Sequence, residues 1–277
     1  MKILLPQQPK PKPWFQDTVG FRELVWLWAQ KGWVNLEVSA SVKNCWLEAS
    51  GRVLLFDRPI LKHLTEDPDA IRASSGLFAN LSVDLATKYV PNSGPWFFWP
   101  RHPRLLNLMI PDLKHKERDL LDIFIGNVHT SLQLQHRAPF QNLKGIASFF
   151  SLMSGRDHRF LPPDYYRMLA RSKYGICLAG FGAKCFREIE YMALGVVPVC
   201  FPGVDLTGYF DPPVEGEHFY RVASVQEYIE LRKWLSAEGS GRWRRMSENC
   251  RQWYDRNASI EGSFLTTMKA LEALGKL

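Results

Sequence analysis

The 277-residue sequence has no long apolar run. A helix that crosses a bilayer needs about 20 predominantly apolar residues, and no stretch of this sequence approaches that length. The apolar start, residues 1–6, is too short for the hydrophobic region of a secretory signal. We therefore expect a cytoplasmic protein without a membrane anchor.

Cysteine pairs are also missing. The five cysteines show no Cys-x-x-Cys spacing, and their number is odd. Zinc sites and disulfide frameworks both depend on paired cysteines. Several of the cysteines lie in or beside apolar runs, which is typical of buried thiols in a reducing compartment. The sequence therefore predicts free thiols and no zinc.

Basic residues are numerous but scattered, with only short clusters such as residues 242–245. The formal net charge is +7, from 35 Lys and Arg against 28 Asp and Glu. This charge favours an anionic partner such as a phosphorylated small molecule. Proteins that bind nucleic acid more often concentrate their basic residues on one stripe. We therefore expect no nucleic-acid partner.

The dinucleotide fingerprint Gly-x-Gly-x-x-Gly does not follow the first apolar strand, because residues 2–5 lead into prolines. This absence disfavours a hydride-transfer enzyme. What is present is an alternation of short apolar strands with helices, the pattern of an open parallel α/β sheet. Strands are predicted at 2–5, 52–56, 120–125, 174–178 and 196–201, and helices at 21–31, 60–64, 69–79, 184–194, 227–235, 243–257 and 262–274. Residues 91–103, rich in proline and aromatics, predict a long loop near a domain edge.

The strongest local pattern is residues 172–201, which read as a strand, a turn with Gly180 and Gly182, a helix and a second strand. A glycine turn that leads into a helix offers backbone N–H groups and a positive dipole end to a phosphate. Arg187, in the first turns of the helix, can add a bidentate charged contact. Glu190 follows on the same helix face and can accept hydrogen bonds from two ribose hydroxyls. An ordinary Arg–Glu pair on a helix surface is the alternative interpretation.

The spacing in this segment resembles the donor-site signature of the exostosin-like family of inverting GT-B glycosyltransferases. The matching pattern is Arg187-x-x-Glu190, a glycine five residues later, then x-x-Pro-Val. The preceding Ser-Lys-Tyr and Cys-Leu also resemble that family's upstream strand. Loosely, the resemblance extends over residues 116–256.

This resemblance implies a GT-B fold, in which two Rossmann-like domains face each other across a cleft. Residues 1–115 would form the acceptor-binding domain and residues 116–277 the nucleotide-sugar-binding domain. The last helix is a candidate to pack back on the N-terminal domain. Besides Arg187 and Glu190, the implied donor-binding residues are Arg137, which would touch the donor phosphates, and Gly126, Gly180, Gly182, Ser172 and Tyr174.

Three departures from the family pattern refine the expectation. Cys185 stands where the family commonly has serine, and Gly182 stands where many retaining GT-B enzymes have glutamate, which favours inversion. We expect this protein to be without the N-terminal membrane anchor that is usual in the family. A short version of this kind resembles the glycosyltransferases of large algal viruses, among them a xylosyltransferase that acts on a capsid glycan. We expect transfer from a UDP-sugar, with UDP-xylose as a candidate, to a hydroxyl of a glycan or glycoprotein without a metal cofactor.

An inverting transfer also needs a general base for the acceptor hydroxyl. Asp57, directly after the strand at 52–56, is the first candidate, and Asp17, in the loop after the first strand, is the second. Both residue types are also common helix caps and turn residues. Candidates for stacking on an acceptor sugar are Trp14, Trp96 and Trp99.

Two other functions stay open. The Asp67-Pro68-Asp69 pattern matches the metal-binding motif of GT-A glycosyltransferases, which hold Mn²⁺ or Mg²⁺ with the donor phosphates. It does not end an apolar strand, however, and Asp-Pro-Asp before a helix is a natural N-terminal cap. The last alternative is a Rossmann-like nucleotide-binding protein that transfers no sugar.

Overall fold

The computed structural model describes residues 1–7, 16–56, 68–80, 86–88, 90–126, 137, 148–151, 160–180 and 182–277. The chain divides into two compact units. Unit one comprises Met1–Arg104, Thr207–Pro212 and Arg256–Leu277, and unit two comprises Leu105–Leu206 and Pro213–Asp255. The GT-B arrangement and the domain boundary near residue 116 stay predictions. Within the described ranges, none of the helices combines the length and apolar character that crossing a bilayer requires.

Unit one contains a six-stranded sheet in the order β2-β1-β3-β4-β5-β6. The strands are β1 (Lys2–Pro6), β2 (Asn35–Ser39), β3 (Cys45–Ala49), β4 (Gly51–Phe56), β5 (Ser75–Phe78) and β6 (Asn92–Pro95). Strand β3 runs antiparallel to both β1 and β4, so the sheet is mixed and the expected all-parallel sheet is wrong for this unit. Strands β3 and β4 form a hairpin whose turn uses Gly51 at a φ of 101°, a conformation that favours glycine.

The helices are α1 (Gln16–Gln30), α2 (Pro68–Arg72), α3 (Pro103–Leu113), α4 (Pro162–Leu169), α5 (Phe186–Ala193), α6 (Val225–Ala237), α7 (Ser240–Asn257) and α8 (Ile260–Ala273). The helix predicted at 69–79 ends at Arg72, and residues from Ser75 onward form the buried strand β5. Parallel pairing with β4 and β6 on both sides overrides the local helical pattern there. The helix predicted at 60–64 lies outside the described residues.

The tryptophans expected to stack on an acceptor sugar belong to the core of unit one. Trp96 and Trp99 are each only 1% exposed, and their rings contact Phe21 with centroids 5.6 and 4.8 Å away. The Trp96 indole donates a hydrogen bond to Thr267 Oγ1 on α8 at 2.9 Å. A ring buried on both faces has none left for a sugar, so the acceptor prediction is corrected for these two residues. Trp14 lies outside the described residues.

Unit two contains a five-stranded parallel sheet in the order β11-β10-β9-β7-β8. Its strands are β7 (Leu120–Gly126), β8 (Ser148–Ser151), β9 (Ser172–Cys177), β10 (Val197–Cys200) and β11 (Tyr220–Arg221). The first strand of this sheet along the chain, β7, lies in the interior of the sheet. Strand β8 pairs on one side of β7, and the later strands β9, β10 and β11 follow on the other side, so the direction of strand addition reverses after β8. In open α/β sheets a ligand commonly binds at such a reversal, outside the carboxyl ends of the strands. Here that point is the carboxyl ends of β7 and β9.

Arg118 joins the ends of two helices in unit two. Its guanidinium donates hydrogen bonds to the carbonyls of Ala170, directly after α4, and of Leu194, directly after α5. Burial, followed by the nearby positive charge of Arg251, lowers the pKa of Arg118 to about 10. At that pKa the group stays charged at neutral pH, and a cation is favoured at the negative ends of the two helices.

Replacing Arg118 with alanine is expected to lower the free energy of unfolding by about 2 kcal/mol, because helix-end carbonyls lose a charged donor. The midpoint of urea denaturation, followed by circular dichroism, measures this change. The control is Arg167→Ala, which removes an exposed ion pair with Asp164 on α4 and should change stability by no more than about 0.5 kcal/mol. Equal midpoints for the two variants would contradict a stabilising role for Arg118.

Candidate functional site

The reversal point in unit two is built from the end of β7, the turn that follows β9 and the start of α5. Cys185 is the residue that precedes the first turn of α5, and its backbone N–H donates to the Glu188 carboxylate three residues later. This reciprocal cap fixes where the helix begins. The N-terminal turn of α5 therefore faces the carboxyl ends of the strands, where its dipole is positive.

Arg187 reaches from α5 to the end of β7. Its Nη2 and Nε donate to the carbonyl of Ile125 at 2.9 and 3.2 Å, and its guanidinium carbon lies 4.5 Å from the Phe124 ring centroid. The remaining nitrogen, Nη1, is buried and has no hydrogen-bond partner among the described residues. A buried charged donor without an acceptor is costly, so this atom points to an anionic ligand.

Two of the predicted glycines make room for this arrangement. A Cβ atom on Gly126 would lie 2.5 Å from Arg187 Nη2 and 2.6 Å from the Phe124 ring. A Cβ atom on Gly180 would lie 2.8 Å from Cys185 Sγ and 3.2 Å from the guanidinium of Arg137. Any larger residue would displace an arginine or the helix cap, which explains why glycine stands at both positions.

Arg137 lies against the turn after β9 and is 5% exposed. Its Nη2 donates to the carbonyl of Leu178 at 2.8 Å and its Nε donates to that of Ala179. Burial, and next the positive charge of Arg187, lowers the pKa of Arg137 to about 10. The Nη2 atom of Arg137 also lies 3.7 Å from the sulfur of Cys185, the residue that precedes α5, so Arg137 and Arg187 both lie beside the start of this helix.

Sequence reasoning missed two charged residues beside these arginines, Lys184 and Glu188, both of which are buried. Burial lowers the pKa of Lys184 to about 8, although Asp205 and Glu188 oppose that change. Burial raises the pKa of Glu188 to about 7, against the opposing charge of Arg187. One carboxylate oxygen of Glu188, Oε1, is buried without a hydrogen-bond partner in the described part of the chain. The run Lys-Cys-Phe-Arg-Glu around a helix start was the signal that could have identified them.

These side chains form a cationic cluster, defined by Arg137, Lys184 and Arg187, in which Glu188 is the buried carboxylate and Asp205 is a further acid beside Lys184. At neutral pH the three basic groups outweigh the two acids, of which Glu188 is partly protonated. Burial strengthens their electrostatic interaction with a ligand, since water screens it less. The cluster is therefore suited to bind a multiply charged anion, and a diphosphate fits that description.

Glu190 occupies a different environment from Arg187. Its carboxylate is 1% exposed and accepts hydrogen bonds from the hydroxyls of Tyr165 at 2.9 Å and Tyr166 at 3.2 Å, both on α4. Arg187 faces β7 while Glu190 faces α4, which disfavours the interpretation as a simple surface pair. The assignment of Glu190 to a donor ribose stays a prediction.

Two predicted donor residues lie at the other end of the sheet. Ser172 begins β9, and its hydroxyl donates to the carbonyl of Leu169 at 2.9 Å. Tyr174 is buried in the amino-terminal half of the same strand, with its ring 6.2 Å from that of Tyr220. Both are therefore separated from the cationic cluster, which corrects their assignment to the donor site. Gly182 lies in the turn before α5, where its carbonyl accepts from the Gly180 N–H.

The candidate bases and the candidate metal motif are only partly described. Asp57 and Asp67 lie outside the described residues. Asp17 lies in the first turn of α1 and not in a loop as expected. Asp69 lies in the first turn of α2, and its carboxylate accepts from Arg72 at 2.5 Å in an exposed pair. This position favours the interpretation of Asp69 as a helix-start residue.

No protein-family model matches the sequence, and no curated protein matches it either. Among solved structures, the crystal structure of the GtfA/B complex is similar, with 10% sequence identity and a TM-score of 0.41. The alignment covers 90% of this chain and 54% of the other, so this chain spans about half the length of the one it matches. Similarity at this level identifies neither a family nor an activity.

Proposed function

We propose that the protein is a glycosyltransferase that takes a sugar from a nucleotide-sugar donor, with a UDP-sugar as the favoured class. The observation that carries this proposal is the cationic cluster at the reversal point of the parallel sheet, with a buried Arg187 nitrogen that has no acceptor among the described residues. The spacing of Arg187, Glu190 and the following glycine, which resembles that of the exostosin-like glycosyltransferases, supports the same donor class.

In this proposal the donor diphosphate lies between the guanidinium groups of Arg137 and Arg187 and the N-terminus of α5. Bidentate hydrogen bonds from arginine and the N–H groups of a helix start suit phosphate oxygens. Lys184 adds positive charge at the same place. Glu190 would accept hydrogen bonds from the ribose hydroxyls while its tyrosine partners hold the carboxylate in position.

The proposed reaction is an inverting displacement. The acceptor hydroxyl oxygen forms a bond to the anomeric carbon as the bond from that carbon to the diphosphate oxygen breaks. The bonding electron pair leaves with the diphosphate, and the hydroxyl proton passes to a base, for which Asp57 and Asp17 are the candidates. Arg137, Arg187 and the helix N-terminus stabilise the charge that develops on the leaving diphosphate without a metal ion.

A panel of nucleotide sugars tests the donor. Thermal unfolding would be followed with UDP-xylose, UDP-glucose, UDP-glucuronic acid and GDP-sugars, since a ligand that binds the folded state raises Tm. A UDP-sugar should raise Tm most, and no response to UDP or any UDP-sugar would overturn the proposed donor. Hydrolysis of the stabilising donor would then be measured with and without EDTA. Full loss of turnover in EDTA would favour the metal-dependent alternative with Asp67 and Asp69, whereas binding without turnover or transfer would favour a nucleotide-binding protein.

Donor affinity is expected to fall as pH rises from about 6 to about 9. Glu188, with a pKa raised to about 7, gains negative charge in the lower part of this range. Lys184, with a pKa lowered to about 8, loses positive charge in the upper part. Both changes reduce the net positive charge of the cluster, so the loss should total about tenfold. Calorimetric titration with an intact UDP-sugar measures it, because the charge of the diphosphate diester is constant over this range.

The variant Glu188→Gln separates the two contributions. Its neutral amide should remove the decrease near pH 7 and leave the decrease near pH 8, while affinity at about pH 6 stays within about twofold of the unmodified chain. An unchanged dependence of donor affinity on pH in this variant would show that ionisation of Glu188 does not affect donor binding.

A further inference from the structure

A cavity in unit two lies away from the cationic cluster. Its volume is about 430 Å³, and it is lined by Gly216, Glu217, Arg242, Arg245, Met246 and Asn249. The last four residues belong to α7 and follow one another at intervals of three, one and three residues, which puts them on one face of the helix. The volume is within the range of small-ligand sites, about 300–1,000 Å³.

This cavity lies at the amino ends of the strands of the parallel sheet, whereas the cationic cluster lies at their carboxyl ends. Residues 216 and 217 come shortly before β11, at its amino end. On α7, the Trp243 indole donates to the carbonyl of Lys173 near the start of β9, and the Ser247 hydroxyl donates to that of Gly195, just before β10. The cluster around Arg187, in contrast, lies at the carboxyl ends of the strands. The two sites are therefore distinct.

The charge of the cavity favours an anion. Neither Arg242 nor Arg245 forms an ion pair with a carboxylate of the described residues. The guanidinium of Arg242 is held against aromatic rings, with its central carbon 5.0 Å from the Trp234 ring centroid and 5.8 Å from that of Tyr220. An arginine held in this way loses less conformational freedom when it binds a ligand.

The remaining lining residues add acceptors beside the two arginines. Asn249 Nδ2 donates to the carbonyl of Glu217 at 3.2 Å, which leaves the Asn249 side-chain oxygen as an acceptor. The carboxylate of Glu217 accepts hydrogen bonds and would repel a ligand that is anionic throughout. Such a mixture suits a molecule with one anionic group and several hydroxyls.

We propose that this cavity binds a small hydroxylated anion, the chemistry that an acidic sugar and a sugar phosphate share. Arg242 and Arg245 hold the carboxylate or phosphate. Glu217 and Asn249 accept from the hydroxyl groups. This site goes beyond the proposed donor site and does not depend on it.

Calorimetric titration with glucuronate, glucose 6-phosphate and glucose tests the proposal. At least one of the two anions should bind, and the one that binds more tightly identifies the anionic group. Glucose, which lacks the charge, should bind at least about tenfold more weakly. Failure of both anions to bind, or equal binding of glucose, would overturn the proposal.

Matched variants locate the binding on α7. Arg242→Gln and Arg245→Gln should each lower the affinity for the anion by about tenfold or more. The control Arg244→Gln removes an exposed charge outside the cavity lining and should leave this affinity unchanged. Equal losses in all three variants would indicate a general charge effect and contradict the site. Urea midpoints establish that each variant is folded.

The Arg187→Ala chain separates this proposal from that of the donor site. It should bind the anion as tightly as the unmodified chain, because Arg187 lies at the carboxyl ends of the strands, away from the cavity. This result does not depend on whether the protein binds UDP. Loss of anion binding in a folded Arg187→Ala chain would place the anion in the cationic cluster and overturn the second site.

Discussion

Replacement of Arg187 with alanine is expected to lower UDP-sugar affinity at least about 100-fold, the loss that follows removal of one partner from a buried charged pair. Arg187 is fixed by the Ile125 carbonyl and the Phe124 ring, so it is already oriented when the ligand arrives. Its Nη1 has no acceptor among the described residues, and a phosphate oxygen would satisfy it. Calorimetric titration with the UDP-sugar that most raises Tm measures the loss.

Arg187→Lys tests whether charge or geometry dominates. Lysine keeps the charge but not the planar fork, so an affinity between those of the alanine variant and the unmodified chain is expected, about tenfold below the latter. Arg167→Ala, which removes an exposed arginine on α4, serves as the control and should bind normally. Near-normal affinity in a folded Arg187→Ala chain would contradict the assignment of the donor site to the cationic cluster.

Much of unit two could be predicted from the sequence because its strands are short, apolar and bounded by glycine or proline. The strands predicted at 120–125, 174–178 and 196–201 and the helix at 184–194 are confirmed within a few residues. Strands buried on both faces carry a continuous apolar signal. In this part of the chain, local sequence and tertiary environment favour the same structure.

Unit one was harder to predict because long-range pairing decides its strands. β2 is mostly exposed and polar, and β3 is inserted antiparallel between β1 and β4. β5 begins Ser-Gly, a weak strand signal, yet it is fully buried between two parallel neighbours. Such pairing depends on residues distant in sequence, which a local pattern does not contain.

The candidate site was predictable in its arginines but not in its surroundings. Glycine spacing and helix position indicated Arg187, and Arg137 was implied by the resemblance to the exostosin-like family. The sequence did not indicate that the hydroxyls of Tyr165 and Tyr166 contact the Glu190 carboxylate, because those residues lie more than 20 positions away. Composition likewise could not distinguish a core tryptophan from one in a binding cleft, which is why Trp96 was assigned to the acceptor.

Gly175 lies in the middle of β9, between β7 and β10, and its replacement with alanine is expected to destabilise unit two by about 3 kcal/mol. A Cβ atom there would overlap three ring atoms of Tyr191. That ring is fully buried, and its hydroxyl donates to the Ile123 carbonyl at 3.1 Å. The ring therefore moves only if this hydrogen bond breaks or the neighbouring strands shift.

Urea denaturation measures the effect of Gly175→Ala, and Gly239→Ala is the matched control. Apart from its chain neighbours, a Cβ atom at Gly239 would have no heavy atom of the described residues within 4 Å. That control should leave the midpoint unchanged. Tyr191→Leu removes the ring, so adding Gly175→Ala to it should cost much less than in the unmodified chain. Additive losses in this double-mutant cycle would show that the ring is not what excludes a side chain at position 175. A coupling of 1 kcal/mol or more, about the size seen for residues in direct contact, would identify the Gly175–Tyr191 contact as the constraint that holds α5, and with it Arg187, against β9.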